Sequence, residues 1–160
     1  MAIRLNVSYR HFMVAAVAVG TAVILVFAVY VIAFSPITVT GTVDHKMIVG
    51  IRDDAAYKLV QMAPLGLTVY QQALVSLFAD KDGNVTINES MEWEIMSCGY
   101  SEIRYLASMR VSTGDSVNHI DPGGTLGYFV KRSDFNALKL TESFTFEVEK
   151  SEPATIRKLD

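Results

Sequence analysis

The sequence predicts a single N-terminal transmembrane helix followed by a mainly-β extracytoplasmic domain, sandwich-like or α+β. Three observations predict this fold. The chain has 160 residues, and the stretch 12–34 contains no charged side chain. Several later segments alternate apolar and polar residues with the period of a half-buried strand. Turn sequences that contain glycine or proline, such as STGDS and DPGG, separate these segments.

The uncharged stretch from Phe12 to Phe34 raises the mean hydropathy of the chain to +0.29. At about 1.5 Å per residue, a helix of this length crosses a hydrocarbon core of roughly 30 Å with some tilt. A cleaved signal peptide is the alternative, but its apolar region usually spans about 7–15 residues. We therefore expect a membrane anchor that ends before Pro36, since proline cannot continue a helix. Ala16 and Gly20 lie one turn apart and are candidates for close helix packing, although such residues are common in any membrane helix.

The flanking charges predict the orientation of this anchor. The N-terminal segment carries Arg4 and Arg10, whereas the other flank has no Lys or Arg before Lys46. An excess of arginine on the short N-terminal side places that side in the cytoplasm. We therefore expect a cytoplasmic tail (1–11), a transmembrane helix (12–34), an extracytoplasmic β-rich domain (35–152) and a C-terminal tail (153–160).

Alternation identifies the strands of the outer domain. Apolar residues fall on one face in SEIRYLASMRVS (101–112) and in SFTFEVEK (143–150). MEWEI (91–95) alternates in the same way, which predicts a strand with Trp93 in the core. The segment 53–63 reads as a short helix, because aspartate caps its start and a proline follows its end. LTVYQQALVSLFA (67–79) fits both periods, and we assign it to a helix with a slight preference.

The sequence DKDGNVT offers a weak metal-site hypothesis. Asp80, Asp82 and Asn84 match the first three ligand positions of a calcium-binding EF-hand loop, which this start resembles. Val85 stands where the loop requires glycine, and Met91 stands where it requires a bidentate carboxylate. We therefore expect a β-turn here, with a weak surface cation site at these side chains as the alternative.

Two glycosylation sequons follow directly. Asn84 begins NVT and Asn88 begins NES, and both lie on the expected extracytoplasmic side. Chance is the alternative explanation, since a three-residue motif is common. A third match at Asn6 lies in the expected cytoplasmic tail, where the modification does not occur.

Catalytic and cofactor chemistry finds little support in the sequence. The letters SMRVSTGDSV from Ser108 resemble the nucleophile region of membrane signal peptidases. The proline expected after Met109 is missing, and no general base follows to activate the serine. Cys98 is the single cysteine, and we expect it to be structural. We find no cofactor motif and no basic cluster for nucleic acid.

Two function classes remain from the sequence. The first is a non-catalytic, single-pass, membrane-anchored subunit of a larger membrane or cell-envelope complex. Its partners would be the lipid bilayer and other membrane or envelope protein subunits. The alternative is a membrane-anchored extracytoplasmic module that binds or senses a ligand, a cation or a glycan. Co-purification with defined partners indicates the first, and a saturable ligand indicates the second.

Overall fold

The computed structural model describes residues 9–159, apart from the side chains at positions 9–13, 15, 16, 33 and 34. The chain divides into two compact units, and the second begins at Pro36. Arg4 and most of the expected cytoplasmic tail lie outside the described residues. The side chains of Arg10 and Ala16 are likewise not described.

The first unit contains helix α1, which runs from Tyr9 to Phe34 and has 26 residues. Its described side chains are all exposed. The hydroxyl of Thr21 donates to the carbonyl of Val17, so this polar group is satisfied within the helix. Among residues whose side chains are described, no helix is both long enough and apolar enough to cross a membrane.

The second unit is mainly β, as the alternation predicted. Its strands are β1 (Ile37–Arg52), β2 (Ala55–Ala63), β3 (Gly66–Val69), β4 (Glu102–Val111), β5 (Thr125–Val130), β6 (Ser143–Glu149) and β7 (Glu152–Leu159). Its α-helices are α2 (Val75–Phe78), α3 (Glu89–Ser97) and α4 (Arg132–Ala137), and a 3-10 turn at Gln72–Leu74 precedes α2.

Five of these strands form a closed barrel, and the prediction of a sandwich is wrong. The sheet order is β3-β2-β1-β4-β5-β7-β6, and β6 also pairs with β1. Five strands therefore close on themselves, while β2 and β3 extend the sheet beyond the barrel. Strand β1 has 16 residues and pairs with β6 through its first half and with β2 through its second half. A bulge between Val43 and His45 lies between these two halves, and bulges bend strands in this way. Five-stranded barrels of the OB type share this architecture.

The segment 53–63 is strand β2, so the helix predicted there is wrong. Asp53 and Asp54 have φ values of 51° and 59°, and Arg52 pairs directly with Ala55. Two successive residues in the left-handed region form the type I′ turn that suits a two-residue hairpin. Aspartate tolerates this conformation, so the residues that suggested a helix cap make a hairpin turn instead.

MEWEI lies in helix α3, and the strand predicted there is also wrong. The side chain of Asn88 accepts a hydrogen bond from the Met91 amide at 2.9 Å and caps the helix start. Gly99 follows the last turn with φ 91°, and its amide donates to the Met96 carbonyl at 3.0 Å. These local signals at the two helix ends outweigh a five-residue alternation.

The remaining differences concern segment ends. The segment 67–79 divides into the end of β3, a 3-10 turn and the four residues of α2. Residues 152–159, expected to be mostly tail, form strand β7. Its single ladder pair with β5 joins Phe129 to Thr155 in parallel, while β6 pairs with it along most of its length. The barrel core is built from buried residues of all its strands, including Val39, Met109, Tyr128, Phe146 and Ile156.

Candidate partner-binding surface

Helix α3 packs on the barrel through one narrow face. Met91 and Ile95 are both buried and lie one turn apart, as a helix that contacts a core requires. At about 100° per residue, the side chain of Trp93 points roughly 180° away from the midpoint of that pair. Trp93 is 74% exposed. The core position predicted for it is therefore wrong, and the reason is the helical period.

Trp93 is the single tryptophan of the chain, and its neighbours one turn away on α3 are Glu89, Ser90, Met96 and Ser97. Met96 lies three residues further on the same side and is 38% exposed. Glu89 and Glu94 are exposed beside it. We call Glu89, Trp93, Glu94 and Met96 the α3 face. Exposed tryptophan is enriched among residues that dominate protein–protein binding energy, although a lone exposed apolar residue is ordinary.

Three side chains fix α3 to the barrel beneath this face. The Glu92 carboxylate accepts a hydrogen bond from the Tyr105 hydroxyl on β4 at 2.5 Å. It also pairs with Arg132 at the start of α4, and Arg132 reaches Glu89 at 3.3 Å. Burial and the hydrogen bond to Glu92 raise the pKa of Tyr105, so its hydroxyl stays protonated. The α3 face is therefore presented on a braced helix.

An open groove of about 840 Å³ lies next to Glu92 of α3. Its walls carry charges of both signs, from Glu92, Arg104, Lys131, Arg132 and Glu152. Arg104 is already paired with Glu102 at 2.7 Å. A neighbouring groove of about 790 Å³ shares Lys131 and Arg132 with it and reaches Asn88. The polar walls of this region suit a charged or zwitterionic ligand.

The negative charge of the chain is concentrated around α3. The segment 79–97 contains Asp80, Asp82, Glu89, Glu92 and Glu94 against the single base Lys81. Its net charge of −4, from five carboxylates and one ammonium, compares with −3 for the whole chain. The rest of the chain is thus slightly basic. The α3 face therefore lies in the most acidic segment of the protein.

Two charged side chains, Lys46 and Asp115, are buried and serve the fold. Lys46 is fully buried, and burial, followed by repulsion from Lys139, lowers its pKa to about 8. Asp115 is fully buried in the loop between β4 and β5 and accepts hydrogen bonds from Tyr128 and Asn118. Burial alone would raise the pKa of Asp115, but these hydrogen bonds together lower it.

The metal candidates lie in a turn between α2 and α3. The Asp82 carboxylate accepts the amide of Asn84 at 2.8 Å, and the Asp82 carbonyl accepts the amide of Val85 at 3.3 Å. A Cβ added to Gly83 would lie 2.8 Å from the Ala63 carbonyl oxygen, so glycine is required by close packing there. Among the described residues, no group of three or more His, Cys, Asp or Glu side chains could hold a metal ion.

The glycosylation candidates are exposed, and each has its side-chain oxygen engaged. The Asn84 oxygen accepts the amide of Leu140 at 3.0 Å, and the Asn88 oxygen caps α3. The nitrogen of each amide is the atom that a glycan would modify. Among the packing candidates, Gly20 has open space within 4 Å of where a Cβ would lie.

The remaining sequence candidates fall in ordinary structural positions. Cys98 is half-buried, and its Sγ lies 3.4 Å from the Glu94 carbonyl oxygen. Ser108 is buried in β4, and His45 is its partner in the β1 ladder. A serine nucleophile needs a hydrogen-bonded base. In the described part of the structure, no hydrogen bond joins these two side chains.

No known protein family, no curated protein and no solved structure matches this chain. The fold and the α3 face define a small five-stranded barrel that presents a braced, acidic helix with one exposed tryptophan. Sequence reasoning missed this surface because it assigned α3 to a strand. The signals that could have found it are the cap at Asn88, the stop at Gly99 and the one-turn spacing of Met91 and Ile95.

Proposed function

We propose that this protein is a non-catalytic subunit of a membrane or cell-envelope complex, anchored by α1 and binding a partner protein through its barrel. The observation that carries the proposal is the exposure of Trp93 on a helix that is held rigidly by Glu92, Tyr105 and Arg132. A large aromatic side chain on a braced helix binds with little loss of conformational entropy.

The anchor part of the proposal rests on helix length and composition. Helix α1 has 26 residues, which corresponds to about 39 Å at 1.5 Å per residue. The stretch 12–34 within it contains no charged residue. The arginines at positions 4 and 10 favour a cytoplasmic N-terminus, so the barrel would lie outside the cytoplasm.

A second function is favoured by the groove beside α3. Its volume of about 840 Å³ and its charged walls would suit a soluble ligand, as in an anchored binding or sensing module. The two functions differ in what they require. A complex subunit needs a protein at the α3 face, whereas a sensing module needs a saturable ligand in the groove.

Co-purification in mild detergent tests the proposed function. The full-length protein should bring down defined partners, and Trp93→Ala should lose them. Leu65→Ala is the matched control, because Leu65 is fully exposed at the tip between β2 and β3. Equal recovery of partners with both variants would contradict docking through α3. Cysteines placed near positions 5 and 115 should be labelled from opposite sides of intact membranes, which tests the anchor separately.

A further inference from the structure

We infer that the α3 face binds a basic segment of a partner protein, in which Lys or Arg side chains accompany apolar ones. This inference rests on the proposed function and adds the chemistry of the partner. Its first support is the juxtaposition of Trp93 and Met96 with the carboxylates of Glu89 and Glu94. An aromatic ring next to carboxylates binds a cation both through its face and through charge pairing.

The charges of the α3 face are available to a partner to different degrees. Glu92 is committed to Tyr105 and Arg132. Glu89 makes one contact of 3.3 Å with Arg132, and its side chain remains 89% exposed. Glu94 forms no ion pair among the described residues; the hydrogen bonds at Glu94 use its backbone carbonyl. Glu94 and much of Glu89 are thus left to face an incoming cation.

A second copy of this chain is a poor occupant for this face. A symmetric dimer through this face would use the same patch on both subunits, so the acidic patch of one would be brought against the acidic patch of the other. The segment 79–97, to which the face belongs, carries a net charge of −4, and the base that contacts it, Arg132, is already paired with Glu92 and Glu89. Like charges would therefore meet in such a dimer.

A lipid surface is also a poor occupant. Anionic headgroups repel an acidic patch. A protein segment of complementary charge therefore fits the surface best.

A photo-crosslinking amino acid at position 93 tests the inference in the full-length protein in its native membrane. We expect crosslinks to another protein, and we expect the crosslinked peptide to contain clustered Lys or Arg with apolar neighbours. The same amino acid at position 65 is the control and should give a different or much weaker pattern. Glu94→Lys should lower the yield at position 93 by about tenfold, since it reverses a charge at the contact. Glu142→Lys changes an exposed carboxylate outside segment 79–97 and should leave the yield unchanged.

Each other outcome overturns the inference. Crosslinks to lipid, to a second copy, or to the basic N-terminal segment of this chain would identify a different occupant. A crosslinked peptide without basic residues, or a yield insensitive to Glu94→Lys, would remove the charge argument while leaving the proposed function intact. No crosslinked protein at position 93, in a membrane from which partners still co-purify, would place their contact elsewhere on the protein.

Discussion

The ammonium of Lys46 donates a hydrogen bond to the backbone carbonyl of Phe135 at 2.8 Å and lies 4.5 Å from the centre of the Phe135 ring. A second bond joins it to the Leu138 carbonyl at 3.0 Å. Both acceptors belong to the end of α4, where the last carbonyls of a helix have no partner within it. Lys46 therefore fastens α4 onto β1 from inside the core.

The first prediction concerns the stability that Lys46 provides. Lys46→Met fills the same volume but leaves two buried carbonyls without a donor. Each unsatisfied carbonyl should lower the free energy of unfolding by about 1–3 kcal/mol. It also relieves the cost of burying a charge, which partly offsets that loss. We expect a net destabilisation of about 2 kcal/mol for the barrel (36–160) in urea unfolding at pH 7. A variant as stable as the wild type would show that the buried charge costs as much as its hydrogen bonds provide.

The difference in stability between the wild type and Lys46→Met should also depend on pH. The pKa of Lys46 is about 8 in the folded protein, against the ordinary lysine value of 10.5, so between these values the unfolded chain binds more protons. Stability therefore rises with pH across this window, by about 2 kcal/mol at pH 10. Lys46→Met should lack this rise. Above about pH 10 stability falls with rising pH instead. The folded pKa values of Tyr105 and Tyr128 are raised, so the unfolded chain loses these two protons before the folded protein does. A gap between the proteins that does not widen from pH 7 to 10 would contradict the lowered pKa.

The second prediction compares two neighbours on α3. Ile95 is fully buried, and Ile95→Ala should cost about 2–5 kcal/mol. Trp93→Ala should change stability by less than about 0.5 kcal/mol, because the indole is largely exposed and alanine favours the helix. Urea unfolding of both variants of the barrel measures the difference. If Trp93→Ala lost as much stability as Ile95→Ala, Trp93 would have to be a core residue, as the sequence alternation predicted.

This comparison shows what the sequence could predict and what it could not. Strands β4 and β6 follow from alternation, because one face of each contacts the core along most of its length. Helix α3 does not, since five residues fit both periods and the deciding signals are the cap at Asn88 and the turn at Gly99. The apolar pattern alone is ambiguous at this length, and the cap, the turn and the contact of Met91 and Ile95 with the core together resolve it.

Barrel closure lies beyond local pattern for a different reason. It depends on β1 pairing with β6 from more than a hundred residues away and on a single pair between Phe129 and Thr155. Neither pairing is indicated by the residue pattern of the strands that form it. The contacts that hold α3 could not be predicted for the same reason, because Glu92, Tyr105 and Arg132 come from three separate elements. Their residue types do not indicate that the fold brings them together.

The third prediction concerns the buried carboxylate of Asp115. It accepts the Tyr128 hydroxyl at 2.5 Å, the Asn118 side-chain amide at 2.6 Å and the backbone amides of Val117 and Asn118. Asp115→Ala leaves these donors unpaired and should cost about 3–5 kcal/mol. Tyr128→Phe removes one donor while the carboxylate keeps the others, so it should cost only about 1–2 kcal/mol. Equal losses in thermal unfolding would mean that the hydroxyl carries the whole network.

Acid should reproduce the loss at Asp115. Its folded pKa is lowered, so its stabilisation is present above the unfolded value near 3.8 and is lost as pH falls through the folded value. Asp115→Asn cannot be titrated at this position. The difference in unfolding free energy between wild type and Asp115→Asn should therefore shrink as pH falls below about 4. A difference that stays constant to pH 2 would contradict an ionised carboxylate.

The fourth prediction concerns the two sequons, in a host that glycosylates exported proteins. Thr86→Ala and Ser90→Ala each remove one sequon and leave the hydrogen bonds of Asn84 and Asn88 in place. We expect each to remove one glycosidase-sensitive step in gel mobility. Asn88→Gln is a less suitable test, because it also removes the helix cap at about 1 kcal/mol. Mobility unaffected by glycosidase in the wild type would show that neither sequon is used.

The last prediction concerns calcium at the turn that contains Asp80 and Asp82. The Asp82 carboxylate already accepts the Asn84 amide, and the Asn84 oxygen already accepts the Leu140 amide. A cation would have to compete with these bonds at an exposed site. A calcium site filled at 100 times its dissociation constant would add about 2.7 kcal/mol, or several degrees in melting temperature for a domain of this size. We therefore expect millimolar calcium to shift the melting temperature of the barrel by less than about one degree. The double variant Asp80→Ala, Asp82→Ala is the control, and calcium should leave it equally unaffected. A calcium-dependent rise that the double variant abolishes would establish a site at this turn, whereas a rise in both proteins would place the cation elsewhere on the barrel.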